Sequence, residues 1–479
     1  MTSFSNTRLL IKILASSTLL GCSDVGPNNR NEVEITQNTE TSVLADENIQ
    51  KIYDTALNGL HSYEITKSLT TEIGPRLAGS RNEARARKWA TKKMNSLGFK
   101  KVRIDNFDIP GWERGVETAS IMSPSRQQLF VTALGGSVAT PAKGVRADVA
   151  YFENFDALTS SPESGLDGKI VYISGKMKKA RDGAGYGPAN QKRRSGATEA
   201  AKRGAAAVII RSVGTDSHRF PHTGQMRYQD GVKKIPIGAI SAPDADQLDR
   251  IFKDGKNVKL NLRLTPKSVG PKPSGNVIGE IVGSEKPDEI ILIGAHLDSW
   301  DLGTGAIDDG AGVGIAMGAA QVLLESGLKP KRTIRVVLYG SEEVGLLGGK
   351  AYAEQHNDEL ANHIVATESD FGAGKIYGFQ AGKTTGSKLF VSNYASMFKG
   401  LNIAAIEGES DGGPDIGPIA ALGVPTVRLN QDGTDYFDLH HTPDDTFDKI
   451  DPDAMAQNVA AYATLIWLAS ETDIDLRGQ

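Results

Sequence analysis

"EIILIGAHLDSWDLGTGAIDDGAGVGIAMGAAQVLLESG", residues Glu289–Gly327, is the stretch whose reading decides the fold. It opens on an apolar run of strand length and closes on a small-residue, apolar run of helix length. The loop between them is glycine-rich, and Gly294–Gly312 holds one His and four Asp. Asp and Gly are ordinary turn residues, so a polar surface loop is one reading and a metal site is the other. The rest of the chain decides between them.

Working outward, the same alternation recurs. "NVIGEIVG" precedes the stretch as a strand, and "RTIRVVLYGSEE", "IVATESDFG" and "GVPTVRLN" follow as strands. Helix-like runs separate them, and "DPDAMAQNVAAYATLIWLAS" closes the chain as an amphipathic helix. The expected fold class is α/β, with a mixed, mostly parallel sheet flanked by helices. Upstream, Ser80 is positioned to cap a helix ending at Gly98, and "KKVRIDNFDI" follows as a strand. From about Gly115 to Lys272 the texture changes to short strands punctuated by Gly, Pro, Ser and Asp.

In open α/β sheets ligands bind beyond the carboxyl ends of the strands. His296 and Asp298 end one strand, and Asp308 and Asp309 lie in the loop after it. Glu342 and Glu343 end the next, Glu368 and Asp370 another, and His440 and His441 sit in "LHHTPDDT". Every cluster of metal-capable side chains falls at such an end or in a loop beyond it. His with carboxylates, and no thiolate, is an oxygen/nitrogen donor set suited to zinc.

"IGPRLAGS", "GAHLDSWDLGTGAIDDGAG", "GSEEVGLLG", "ESDFG" and "HHTPDDT", in that order, resemble the M28 family of co-catalytic zinc exopeptidases, and within it the carboxypeptidase Q type. The resemblance runs from about residue 48 to 470. It implies the zinc-peptidase, phosphorylase/hydrolase-like fold and two Zn2+ per chain. His296 and Asp370 would hold one zinc, Glu343 and His441 the other, and Asp308 would bridge them, with a cis peptide after it. Asp298 would orient the His296 imidazole, and Glu342 would be the general acid/base for a metal-bridging hydroxide. Two zincs, three carboxylates and one hydroxide make that core neutral. His440, Asp411 and Asp415 are expected at the substrate, whereas Asp301, Asp309 and Glu368 are expected to be structural.

"DGKIVYISGKM" with "GATEAAKRGAAAVIIRS" resembles a protease-associated domain. The expected division is therefore a peptidase domain of residues 48–114 and 273–479, with residues 115–272 as a β-rich protease-associated insert. His218 and His222 in "TDSHRFPHTG" are expected in a surface or substrate-facing loop, since Pro221 breaks any helix that could pair them. His61, His356 and His363 are expected at the surface.

The net charge of -4 excludes a nucleic-acid binder that works through a broad basic surface. The single cysteine, Cys22, excludes an intrachain disulfide. Arg8 and Lys12, the short apolar "ILASSTLL" and the closing "LLGC" resemble a lipoprotein signal, residues 1–22, with Cys22 at the lipid position. Residues 23–47 read as a flexible tether. The expected location is outside the cytoplasm, as a lipid-anchored protein of an outer membrane facing the periplasm or elsewhere in the cell envelope. Short peptides are the expected substrates, and membrane contact is expected only through the lipid. Some relatives form homodimers, for which the sequence carries no signal. Two other readings are an inactive binding protein of the same fold and a glutaminyl cyclase-like enzyme. The complete ligand set with Glu342 argues against the first, and the insert and bridging pattern against the second.

Overall fold

The computed structural model describes residues 47–478. The expected leader with Cys22, and all but the last residue of the expected tether, lie outside the described residues. The centre is a five-stranded mixed sheet of β1 (Lys100–Glu113), β2 (Lys267–Ile281), β3 (Lys286–His296), β4 (Arg332–Tyr339) and β5 (His363–Glu368). Their spatial order is β1-β2-β4-β3-β5. β3 pairs in parallel with β4 and β5, whereas β2 runs antiparallel to both of its neighbours. Four strands therefore point one way and β2 alone opposes them.

The apolar run of β3 follows from burial on both faces. Ile291, Ile293 and Ala295 belong to one core, while Leu292 belongs to another with Val337, Tyr352 and Ile419. A strand covered on both sides needs no polar alternation. The first core is roofed by α1 (His61–Glu72), α2 (Arg81–Ser96), α3 (Ala311–Glu325) and α4 (Pro452–Glu471). Ser80 caps α2, its Oγ accepting from the Glu83 N–H at 3.1 Å. The helical stretch Ala306–Glu325 is apolar enough to cross a membrane, but 89% of that window is buried inside the fold, so it is a core helix. Its small residues admit close neighbours: a Cβ on Gly314 would meet Thr66 Oγ1 at 2.4 Å.

The chain leaves β1 and re-enters β2 at paired positions, Glu113 opposite Lys267. Between them, strands spanning 117–264 build a separate eight-stranded sheet. Its two edge strands, Gln127–Leu129 and Val131–Ala133, are divided in sequence by Phe130 alone, so the sheet curls towards closure.

Several histidines depart from expectation. His363 is fully buried, with Nδ1 3.0 Å from the Glu359 carbonyl and Nε2 2.8 Å from the Tyr352 hydroxyl. His356 lies between Asp105 and Glu359, and His61 pairs with Glu325. His218 is exposed as expected, but His222 is buried against Asp216. Residue type and local pattern do not show which side chains fold against a histidine, whether the partner is near in the chain, as Glu359, Tyr352 and Asp216 are, or distant, as Asp105 and Glu325 are.

Candidate metal centre and active site

The strand register explains why the polar clusters meet. In the parallel ladders His296 lies opposite Tyr339, and Gly294 lies opposite Glu368. The three strands therefore end at one level, and Glu342, Glu343 and Asp370 follow immediately beyond it. Ser341, with φ of 64°, turns the chain sharply out of β4. The peptide between Asp308 and Asp309 is cis, as the resemblance implied.

Asp308 stands at the middle. Its Oδ1 is 3.0 Å from His296 Nε2, and its Oδ2 is 3.2 Å from His441 Nε2. Asp370 Oδ1 lies 3.5 Å from His296 Nε2, and Glu343 Oε2 lies 2.9 Å from His441 Nε2. Three groups of donor atoms, each within 4.8 Å, combine these residues: His296, Asp308 and Glu343; Asp308, His440 and His441; His296, Asp309 and Asp370. Asp309 is a poor candidate in the last group, because its two oxygens already accept from the N–H groups of His296 and Gly312 at 3.1 and 3.0 Å.

The cluster fits a cation on chemical grounds. His296 Nδ1 is 3.0 Å from the Asp298 carbonyl, which can only accept, so Nδ1 carries a proton. Nε2 then turns its lone pair towards two carboxylates, an arrangement that needs positive charge between them. Asp308 Oδ2 and Glu343 Oε1 are buried without a hydrogen-bond partner. Burial and neighbouring carboxylates push Glu342 and Glu343 well above the usual carboxylate range. Burial alone would lower His296, yet Asp370 and Asp308 lift it well above its ordinary value. Burial would raise Asp308, but the neighbouring imidazoles of His296 and His441 hold it well below the usual range.

Two expected roles change. The Asp298 carboxylate does not hold the His296 ring: its Oδ1 is 3.8 Å from Nδ1, and instead accepts from the Glu342 N–H at 3.0 Å. The backbone carbonyl of Asp298 orients the imidazole, because two residues past the strand end the chain has already turned back. Asp415 is not at the substrate. It is fully buried, accepts from the Gly349 N–H at 3.0 Å, and sits beside Glu368, with burial pushing its pKa up to about 8. His440 and Asp411 do line a cavity of about 450 Å3 that opens over the cluster, together with Glu342, Glu343 and Asp370. Asp411 is exposed there, 3.9 Å from Arg428.

Other residues support the site without having been assigned a role in the sequence. Arg76 of "IGPRLAGS" is fully buried, and its guanidinium donates to the carbonyls of Gly74, Leu297, Thr304 and Gly305, pinning both ends of the His296–Asp308 loop. Asp445 of "HHTPDDT" accepts from the N–H groups of Ile307 and Asp308 at 2.6 and 3.2 Å. Both lie inside motifs that carry the family resemblance, and that position was the only signal the sequence offered. Arg114 carried no such signal. It grips Asp301 at 2.7 and 2.8 Å and also bonds Glu117, Thr132 and Thr223, tying the active-site loop to the eight-stranded sheet.

A family model described as peptidase family M28 matches residues 276–466. Carboxypeptidase Q of Bos taurus is 35% identical over 423 residues, covering 88% of this chain and 87% of the relative. The chain belongs to peptidase family M28. Carboxypeptidase Q of Homo sapiens gives the same 35% identity, over 422 residues with the same coverage. The crystal structure of an M28 peptidase precursor from Shewanella amazonensis is 48% identical, with a TM-score of 0.89 over 90% of this chain and 98% of that one. A zinc aminopeptidase from Bacillus subtilis, 23% identical with a TM-score of 0.62 over 85% and 93% of the two chains, shares the fold.

Proposed function

We propose that this M28 peptidase is an extracytoplasmic di-zinc exopeptidase that hydrolyses short peptides, as an aminopeptidase or dipeptidase. The observation that carries the reading is Asp308, which presents one oxygen to each of two buried imidazoles. His296 and Asp370 would hold one ion, Glu343 and His441 the other, and Asp308 both. Zinc, when bound, supplies Lewis acidity and brings the pKa of water down towards about 7. Glu342 lines the cavity beside this set, with its backbone N–H held by Asp298. Its place in the cavity beside the ligand set suits a group that takes a proton from the attacking water and returns it to the leaving amine. His440 and Asp411 face the same cavity and are the proposed substrate contacts.

The proposed domains are residues 48–114 and 273–479 for catalysis and 115–272 as the protease-associated insert. The separate sheet and the paired exit and entry at Glu113 and Lys267 support that division. Export with lipidation at Cys22 rests on the leader sequence. The test is hydrolysis of a dipeptide and aminoacyl-amide panel by the purified chain, with and without chelator, beside Glu342→Gln. Chelator-sensitive cleavage lost in that variant is expected. Full activity in Glu342→Gln with zinc retained would overturn the mechanism, and no cleavage by the metal-loaded wild type would favour a binding protein.

A further inference from the structure

The segment 214–223 leaves the eight-stranded sheet and wraps the backbone that carries His441. Thr215 N–H donates to the Phe437 carbonyl at 3.1 Å, and Thr215 Oγ1 bonds Asp438 at 2.6 Å. His222 Nδ1 lies 2.7 Å from the His440 carbonyl. Thr223 N–H donates to the His441 carbonyl at 3.1 Å, and the Thr223 carbonyl lies 3.3 Å from His441 Nδ1. The last contact is reciprocal: one residue grips both the backbone and the ring of His441.

His441 needs that grip. Its φ is 63°, a conformation that non-glycine residues adopt rarely. The short helix Tyr436–Leu439 ends one residue before His440, so no regular element extends through the pair. Arg193 lies 3.4 Å from His441 Nδ1 but also donates to the Thr223 carbonyl at 3.3 Å. With both donors on that carbonyl, His441 Nδ1 keeps its proton and Nε2 presents a lone pair to the metal side.

The grip is itself locked. His222 Nε2 is 2.6 Å from Asp216 Oδ1, and both side chains are within 1% of complete burial. Asp216 Oδ2 accepts from the His218 N–H at 2.8 Å. Gly214 floors the ring, since a Cβ there would lie 2.3 Å from His222 Cε1.

We propose that Asp216, His222 and Thr223 are positioning residues for the metal ligand His441, so that one of the two metal sites is completed by the 117–264 region. This rests on the two-metal reading. It makes that region part of the metal centre's support, beside its Tyr186, Arg193 and Gln225, which line the cavity.

The test uses the purified chain as Asp216→Asn, His222→Gln and Gly214→Ala. Zinc per chain is measured across a chelator series, alongside melting temperature and kcat at low and saturating zinc. The expected result is one zinc lost at about 10- to 100-fold lower chelator strength, the other held as in wild type, with kcat recovered by added zinc. Zinc retention equal to wild type in every folded variant, whatever the melting temperature, would reduce the segment to interdomain packing and overturn the proposal. Gly214→Ala and Asp216→Asn keep the test open should His222→Gln fail to fold. Fewer than two zincs on wild type would instead overturn the two-metal reading itself.

Discussion

The two imidazoles at the centre sit in matching positions but are held in different ways. His296 is held locally: its strand ends under it, the carbonyl two residues on orients its ring, and Asp309 of the same loop takes its N–H. His441 is held from afar, by Thr223 and the His222–Asp216 pair, more than two hundred residues earlier in the chain. One half of the centre therefore belongs to the sheet that carries it, and the other half depends on a second sheet docking correctly. The difference teaches that matching imidazoles need not be held equally robustly.

The largest effect should come from the one residue both halves share. Asp308→Asn is expected to drop activity to background and zinc below one per chain, measured by elemental analysis after dialysis; two zincs retained would remove Asp308 from the bridge. Next, Glu342→Gln should lower kcat by about 10^2- to 10^4-fold with both zincs in place, because it stands apart from either ligand half.

The central sheet carries an acid-labile group of its own. Burial lowers His363 to about 4 from 6.5, so the unfolded chain takes up a proton in a window where the folded chain does not. The stability is fully present above about 6.5 and is lost as pH falls towards 4, by about 3 kcal/mol at most. Denaturant titrations from pH 7 to 4 should show that slope, flattened in His363→Gln; an unchanged slope would assign the acid sensitivity elsewhere.

Docking of the second sheet should weaken in Arg114→Gln by about 2 kcal/mol, the scale of hydrogen bonds to a charged group, read from urea midpoints. The loss should fall on the His441 half first, so zinc content at low chelator separates it from a general destabilisation. The smallest effect sharpens the His296 side. Asp298→Asn should leave zinc affinity unchanged, since the ring is held by the backbone, and alter only kcat through Glu342. A loss of about 10- to 100-fold in affinity would restore the carboxylate as the orienting group.

Legibility followed the same division. The strand ends were readable because parallel strands in register bring their carboxyl ends to one edge, so His296, Glu342, Glu343 and Asp370 could be grouped from pattern and motif order. Asp298 and Asp415 depart from expectation because spacing fixes proximity along the chain but not which atom faces which. Two residues past β3 the carbonyl, not the carboxylate, meets the imidazole; Asp415 lies four residues from Asp411 yet points into the core. Arg76 and Asp445 stood inside quoted motifs without a role, since a buried charge is recognisable only once its partners surround it.

By itself, the amino-acid order determined the alternation of strand and helix, the change of texture between the two sheets, and the order of metal-capable side chains. Those are local properties: hydrophobic period, turn chemistry and residue type act over a few neighbours. Only the tertiary structure decided that the carbonyl of Asp298 rather than its carboxylate meets a histidine, why Arg114 spans two regions, and that Thr223 stands behind His441. Those contacts join residues far apart in the chain, and their energies depend on burial and on directional hydrogen bonds that exist only after both sheets have packed.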